Sequence, residues 1–378
     1  MKVLFVITGL FPGGAEKIVL ELVRSLLRDG HHAAVVSLLK EPQGKVRTVV
    51  DHLEQLGVRP YFLNLSHRSF FRIFRLRKII RSEAPDIVHS HLMHANLAAR
   101  LVRLFCRFTL VNTIHIAEKR SSAKIRLLFL LDRLSIHLAK VCTTVSQAAA
   151  RFHEQRCGLP QNFIRVIYNG SDPVRPATPE KISAFKQQWA LSEVTKVIGS
   201  IGRLDYQKGY DLFLRSLPSL APLIPRGERW GILLIGDGPE REKLADMAAE
   251  IEREYPALHI VMPGYLPDAS AWLPVLDLFV MPSRYEGFGL TLTEALSLGI
   301  PSLCSQADSL PELCAFSPEN TLSADFTDPK MTEIYRTALS LRKSPGKLFH
   351  TTEQMTAEYL ALYRKILSEE KMSLEQQV

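Results

Sequence analysis

Short apolar, β-rich runs recur along both halves of the chain, each ending in polar residues or glycine and separated from the next by a helical pattern. In the first half they are KVLFVIT at 2–8, HAAVVSLL at 32–39, DIVHSH at 86–91, LVNTIH at 110–115 and VCTTVS at 141–146. In the second they are VIGSIGR at 197–203, WGILLIGDG at 230–238, LHIVMPG at 258–264, LDLFVMPS at 276–283 and PSLCSQ at 301–306. A helix is expected over about Ala15–Arg28, between the first two runs. Strands this short and this apolar, alternating with helices, predict parallel sheets covered on both faces, twice over. The expected fold class is α/β, with two doubly wound domains, and 378 residues exceed one ordinary core. The segment NGSDPVRPATPEK at 169–181 interrupts the pattern with an Asn-Gly turn and prolines. The domains are therefore expected at 1–175 and 176–355, with 356–378 as a C-terminal helix packing back toward the first. In open α/β sheets ligands bind beyond the carboxyl ends of the strands, so the residues there are the ones to read for chemistry.

Composition narrows the classes. A hydrophobic content of 46% with 23% charged residues is that of a soluble globular protein. The five cysteines, at 106, 142, 157, 304 and 314, are scattered and include no C-x-x-C, which argues against a disulfide framework or a zinc site and fits a reducing cytoplasm. The opening MKVLFVITGLFPGGAEKIVLEL starts like a signal peptide, but its apolar stretch is short and runs into Pro-Gly-Gly and an amphipathic pattern, so it reads as strand, glycine loop and helix. No apolar run of membrane-spanning length occurs. The net charge of +8 is unevenly placed. Residues 1–178 hold 27 Lys+Arg against 12 Asp+Glu, a balance of +15, whereas the remaining 200 hold 20 against 27, or −7. Such asymmetry points the first half toward something anionic.

The richest segment is SRYEGFGLTLTEALSLGIP at 283–301. Gly287 and Gly289 let the backbone approach a ligand, and the helix that follows turns its N-terminal amides and positive dipole end toward a phosphate. Glu294, in the first turns, could accept from a ribose diol, and Glu286 lies on the other side of the turn; the plainer reading is a solvated loop with an acid that suits the dipole. A nucleophilic Glu286 would need a second carboxylate across the anomeric carbon, and none is indicated. Upstream, in IGRLDYQKGYDLFLRSL at 201–217, Arg203 follows a strand end and Lys208 precedes Gly209 and a helix. Two cations at such a turn suit a diphosphate whose charge develops as a glycosyl bond breaks, or are simply surface cations. IGDGPEREKL at 235–244 lacks the third glycine of a dinucleotide fingerprint. Gly13 and Gly14 precede a helix at the end of the first strand.

Histidines mark strand ends: His89 and His91 in VHSHLMH, and His115 in NTIHIAEK. A metal site from His89, His91 and His94 fits no standard zinc spacing. His115 is the better candidate for a substrate hydroxyl, or else a satisfied structural histidine. Two stretches mix cations with apolar residues. SHRSFFRIFRLRKIIRS at 66–82 places Arg68, Arg72 and Arg75 on one helical face and Phe70, Ile73 and Phe74 on another, and KRSSAKIRLLFLLDRLSIHLAK covers 119–140. Both suit helices lying on anionic lipid, or ordinary helices with charged outer faces. No nucleic-acid-binding module is recognised.

Taken together these motifs resemble the retaining GT-B glycosyltransferases of family four, also called glycosyltransferase group one. The likeness runs through nearly the whole chain: GGAEKIVLEL at 13–22, VIYNGSD at 166–172, GRLDYQKG, LLIGDGPERE, PGYLPD and LFVMPSRYEGFGLTLTEALSLGIP, the last matching the family's E-x7-E signature. The resemblance implies two Rossmann-like domains facing a cleft, the first binding an acceptor and the second a nucleotide-sugar donor, UDP- or GDP-linked. It implies that His115, Arg203, Lys208 and Glu286 act at the reacting centre: Arg203 and Lys208 on the diphosphate, His115 on the transferred sugar, and Glu286 as a grip on the sugar ring. Donor binding would fall to Gly13, Gly14, Gly264, Tyr265, Gly287, Phe288, Gly289, Leu290 and Glu294, with Glu294 on the ribose and the base near Gly264 and Tyr265. Neither metal nor cofactor is implied, since side chains and a helix N-terminus supply the positive charge. Where relatives often have Gly-Gly before Pro-Glu, this chain has QADSLPEL at 306–313, which bears on sugar selectivity. The expected activity is transfer of a hexose or N-acetylhexosamine, by a retaining mechanism, to a lipid-linked, lipopolysaccharide-type or other glycan acceptor. The expected location is cytoplasmic, peripheral at the inner membrane face. A nucleotide-sugar epimerase or glycogen-type synthase on the same fold, or a non-catalytic nucleotide-sugar-binding subunit, stands as the alternative.

Overall fold

The computed structural model describes residues 1–66, 69–115 and 122–375. It divides into two compact units, Met1–Gly170 with His350–Val378, and Ser171–Phe349. The first unit is built on strands β1 (Lys2–Ile7), β2 (His32–Ser37), β3 (Tyr61–Phe62), β4 (Ile87–His91), β5 (Leu110–Ile114), β6 (Val141–Thr144) and β7 (Arg165–Val166). The second holds β8 (Lys196–Ile201), β9 (Trp230–Ile235), β10 (Leu258–Gly264), β11 (Leu278–Met281), β12 (Ser302–Ser305) and β13 (Thr321–Ala324). The short strands β3, β7 and β13 carry too little sequence to show in the pattern of apolar runs.

All the pairings are parallel, in the orders β3-β2-β1-β4-β5-β6-β7 and β10-β9-β8-β11-β12-β13. Each order reverses direction once, between β1 and β4 in the first sheet and between β8 and β11 in the second. At such a switch point the loops leaving the two central strands diverge to opposite faces and open a crevice. The central strands are buried along their length, as sheets covered on both faces require.

Each unit has its own core. In the first, Leu4, Val6, Val36, Val88 and Leu110 pack against Ile73, Leu76 and Ile80 and against Ala95, Ala99 and Val102. In the second, Ile198, Ile232, Leu234 and Val280 pack against Phe213, Leu217, Leu244 and Tyr335. The helix Thr352–Glu375 belongs to the first unit and buries Met355, Tyr359, Leu360, Leu362, Tyr363 and Ile366. The unit boundaries lie five to six residues before the expected 175 and 355. The outgoing and returning chain are in contact there: the Gly170 amide meets Met355 Sδ at 3.2 Å, and Gly170 is closed in by the backbone of Thr351 and Thr352.

The basic stretches fold differently from the expected faces. Arg68, the side chain of Phe70 and residues 119–121 lie outside the described residues. Ile73 is in the core with Leu76 and Ile80, whereas Phe74 is exposed and meets Phe105 edge-on at 5.5 Å. Ile73 and Phe74 thus part company, because a short 3-10 segment, Phe70–Ile73, precedes the helix Phe74–Glu83 and resets its phase. The second stretch forms the helix Ala123–Ser135, capped by Ser122 Oγ accepting from the Ile125 amide at 3.2 Å. Phe129 and Asp132 turn inward, while Leu127 and Leu134 are 55% and 71% exposed, with Leu130 and Leu131 beside them.

Candidate functional site

The switch point of the second sheet gathers the residues singled out in sequence. After β8, Asp205 caps the short turn Tyr206–Lys208, and Gly209 then turns left-handed (φ 66°) into the helix Tyr210–Leu220. Any side chain at Gly209 would collide with the Pro282 carbonyl oxygen, which lies on the loop leaving β11. The two loops are therefore packed backbone to backbone. They are clamped as well: Arg284 donates to both Asp211 oxygens at 2.7 and 2.8 Å, to the Tyr206 carbonyl at 3.0 Å, and lies 4.1 Å over the Tyr206 ring. Burial raises the Asp211 pKa, but the hydrogen bonds and charge of Arg284 outweigh it and hold the carboxyl below its ordinary value.

Inside this frame Lys208 Nζ donates to Glu286 Oε2 at 2.6 Å, and Ser283 Oγ donates to the same oxygen at 3.3 Å. Glu286 is only 8% exposed, so the cation offsets much of the cost of desolvating it. Its amide donates to Asp308 Oδ2 at 2.9 Å, and Ser309 Oγ donates to the Phe288 carbonyl at 2.9 Å. The departure QADSLPEL thus supplies polar groups that hold the glycine turn. Gly289 (φ 98°) opens the helix Leu290–Ser297, and a Cβ there would press on Leu310 at 2.8 Å. Phe288 is buried and meets Phe349 at 5.9 Å. One turn on, buried Glu294 accepts from Ser270 Oγ at 2.7 Å.

Arg203 stands apart from the Lys208–Glu286 pair. Its side chain is 69% exposed and its ion pair is with Asp205, at 3.4 Å. Gly264 ends β10 in a left-handed conformation, with Tyr265 next, and the Arg241 guanidinium lies beside it. Arg241 Nη2 donates to the Met262 carbonyl at 3.3 Å, and its Nη1 has no partner among the described residues. Sequence reasoning missed Arg241, Ser270, Asp308 and the Arg284–Asp211 clamp. Arg284 lies within the signature segment itself, but its partner is 73 residues away, and only the sheet brings the two together.

The remaining singled-out residues lie in the first unit. Gly13 precedes the helix Gly14–Arg28 in extended conformation, so it is not the backbone that demands glycine; a Cβ would strike the Glu16 carboxylate. His115, at the end of β5, lines a pocket of about 470 Å³ with Leu92, His94, Leu128, Phe129 and Asp132. His115 Nε2 lies 2.9 Å from His91 Nδ1, and burial pushes the His115 pKa down to about 3. His89 cannot join a metal site with His91 and His94, because Tyr363 Oη and Thr113 Oγ1 take up its two ring nitrogens, each at 2.6 Å. Among the described residues one trio, Asp132, His153 and Cys157, has the donor atoms for a metal. Its carboxylate is already neutralised, with Arg100 at 2.5 Å and His153 at 2.6 Å, and burial pushes the Cys157 thiol up to about 12. With its carboxylate paired to Arg100 and its thiol protonated, this donor set does not fit a cation.

Comparison with known proteins agrees with this architecture. Residues 12–175 match the model of Glycosyltransferase Family 4, and residues 195–333 that of Glycosyl transferases group 1. The chain is 33% identical over 158 residues to the lipopolysaccharide core biosynthesis mannosyltransferase LpsB of Rhizobium meliloti, a match spanning 41% of this chain and 44% of that protein. It is 25% identical over 311 residues to the uncharacterised glycosyltransferase MJ1607 of Methanocaldococcus jannaschii, covering 77% of this chain and 76% of the relative. In structure it is similar to Anabaena Alr3699/HepE, solved in complex with UDP and glucose, with a TM-score of 0.76, 21% identity and coverage of 96% and 99% of the two chains. The fold is GT-B.

Proposed function

We propose that this chain, which by both its domains belongs with the GT-B glycosyltransferases, moves a sugar from a nucleoside-diphosphate sugar to a glycan acceptor with retention of anomeric configuration. The observation that carries the reading is the pair of half-buried Lys208 and buried Glu286, set between switch-point loops and adjoining a glycine turn that opens a helix. A cation and a helix N-terminus meet the charge that grows on a departing diphosphate. Glu294 accepts from ribose hydroxyls, with Ser270 holding the carboxylate in place, and Glu286 accepts from the sugar. The base lies against Gly264 and Tyr265.

In the reaction the bond from the anomeric carbon to the diphosphate oxygen breaks, and a bond to the acceptor oxygen forms on the same face. The acceptor's proton passes to the departing phosphate oxygen, so no carboxylate is needed as a base. The glutamates hold substrate. The first domain recognises the acceptor, and His115, in its pocket, donates a hydrogen bond to a hydroxyl of the transferred sugar. LpsB and the O-antigen enzyme WclY of Escherichia coli are named for lipopolysaccharide and O-antigen synthesis, which supports a lipopolysaccharide-type or lipid-linked acceptor. Donors linked to UDP or GDP are supported by the UDP-glucose complex of Alr3699/HepE and by a relative named for GDP-mannose.

Attachment to the inner membrane face rests on the +15 balance of residues 1–178 and on the leucines exposed along the helix Ala123–Ser135, next to Lys124, Arg126 and Arg133. A helix apolar on its outer face and flanked by cations binds anionic lipid.

Thermal melting against UDP, GDP, ADP, CDP and their sugar conjugates tests the donor site, with Glu294→Ala beside the wild type. One nucleotide at 100 times its dissociation constant is expected to add about 2.7 kcal/mol and raise the melting point by a few degrees, and to do so far less in Glu294→Ala. If no nucleotide shifts the wild type, the donor site is misread. Sedimentation with anionic vesicles at physiological salt tests the membrane part. Protein left in the supernatant points to a soluble acceptor.

A further inference from the structure

His91 and His115 end neighbouring parallel strands, β4 and β5, and their rings meet: His91 Nδ1 lies 2.9 Å from His115 Nε2. Both rings are buried, and burial depresses both pKa values far enough that neither imidazole is charged near neutral pH. Each ring then carries one proton, and one proton lies between them. One ring donates and the other accepts.

The far nitrogen of His91 decides which. His91 Nε2 is buried and has no hydrogen-bond partner among the described residues. If His115 donated, the proton of His91 would sit on that nitrogen as a buried N–H with nothing to accept it. In the opposite arrangement His91 Nε2 is a bare lone pair. Orphaned buried N–H groups are rarer than under-satisfied acceptors, and leaving a donor unmade carries its full desolvation cost. His91 therefore donates from Nδ1, His115 accepts at Nε2, and the proton of His115 is on Nδ1. That nitrogen has no partner among the described residues, and His115 lines the pocket of the first unit.

The His91 ring is held for this task. It packs 4.0 Å from the His89 ring and 5.9 Å from Phe5, centroid to centroid. His89 in turn is locked by Tyr363 and Thr113. Neutral imidazole free in water prefers its proton on Nε2, so the strand pair reverses the intrinsic preference of His115.

We infer that His91 is a positioning residue that fixes His115 in the Nδ1–H tautomer, so that His115 presents a hydrogen-bond donor to a substrate hydroxyl in the pocket. The substrate half of this statement rests on the glycosyltransferase reading above; the tautomer half does not.

The test is long-range 1H–15N NMR of the full-length protein with 15N-labelled histidine, the His115 signals being assigned by their loss in His115→Gln. The wild type is expected to show His115 protonated at Nδ1 and bare at Nε2. In His91→Leu, His115 should move to the Nε2–H form or a mixture, and kcat should fall by roughly 10–100-fold, the size found when the outer partner that orients a metal-bound histidine is lost. His91→Asn, whose amide N–H takes the place of Nδ1–H, should keep the Nδ1–H tautomer and recover most of kcat. An Nε2–H tautomer in the wild type, or no change of tautomer in His91→Leu, overturns the proposal. Should His91→Leu fail to fold, the wild-type spectrum and His91→Asn decide alone. The spectra need no turnover, so failure of the nucleotide-binding experiment and failure of this one are told apart.

Discussion

At the scale of single residues, Lys208 and Glu286 come from loops 78 residues apart and pair two opposite charges 2.6 Å from each other at the candidate donor site. Replacing Lys208 by Met would leave a buried carboxylate with Ser283 as its remaining side-chain donor. The expected cost is about 1–3 kcal/mol in urea unfolding and roughly 10²–10³-fold in kcat, the range for losing one donor to developing charge. Arg203→Ala should behave otherwise. Its side chain is mostly exposed, so stability should stay within about 0.5 kcal/mol while transfer slows. Glu286, Glu294 and Lys208 were legible in the sequence because each lies beside a glycine turn at a strand or helix end, where free amides and strand topology put ligands. Asp211 and Arg284 were not. Each alone looks like a surface charge, and their meaning lies in meeting across three strand-to-strand connections.

At the scale of elements, Arg100 ties three helices together. It extends from the helix Met93–Arg103, fully buried, to Asn112 at 2.6 Å and to Asp132 of the helix Ala123–Ser135, while His153 of the helix Gln147–Cys157 reaches the other Asp132 oxygen. Removing one partner of such a pair strands a buried charge. Arg100→Met is expected to cost about 3–5 kcal/mol in urea unfolding. Adding Asp132→Asn should return part of that loss, a non-additivity a double-mutant cycle reads directly. Burial alone would raise the Asp132 pKa, but hydrogen bonds and charge from His153 and Arg100 bring it down to about 2. Folded below unfolded means that this carboxylate stabilises the protein above about pH 4 and that its contribution fades as pH falls toward 2. The strands and the helix Gly14–Arg28 were readable from period alone. The break between Ile73 and Phe74 was not, because a 3-10 turn shifts the helical phase by a fraction of a residue that composition does not encode.

At the scale of the molecule, two cores stand on two sheets, and the chain closes the first only at its end. The helix Thr352–Glu375 buries Met355, Tyr359, Leu360, Leu362, Tyr363 and Ile366 in the first unit and bonds His89 through Tyr363. At about 1.5–3 kcal/mol per buried side chain, ending the chain after Phe349 would remove about as much as a whole domain's stability. The truncated protein should unfold in its first unit, read as new protease cleavage confined to residues 1–170. The buried histidines set a second expectation. His89 and His91 fall well below 6.5 and His115 falls to about 3, all through burial. Below pH 6.5 the unfolded chain takes up protons that the folded one refuses, so their contribution is complete above that pH and is lost as pH falls toward about 3. The unfolding free energy from urea titrations between pH 7 and 5 should drop with a slope of up to about 1.4 kcal/mol per unit for each imidazole, and His91→Asn should make the drop shallower.

Alternating apolar runs and glycine turns were enough to determine the two parallel sheets, the ends of the strands where ligands would sit, and the glycine turn of residues 283–301, because periodicity and backbone freedom are local properties. The strand order, with the switch point that sets Lys208 on Glu286 and Arg284 on Asp211 and the β4–β5 pairing that sets His91 on His115, was decided only in three dimensions. Those pairs are separated by tens of residues of crossover helix, and no local pattern specifies which strand ends become neighbours.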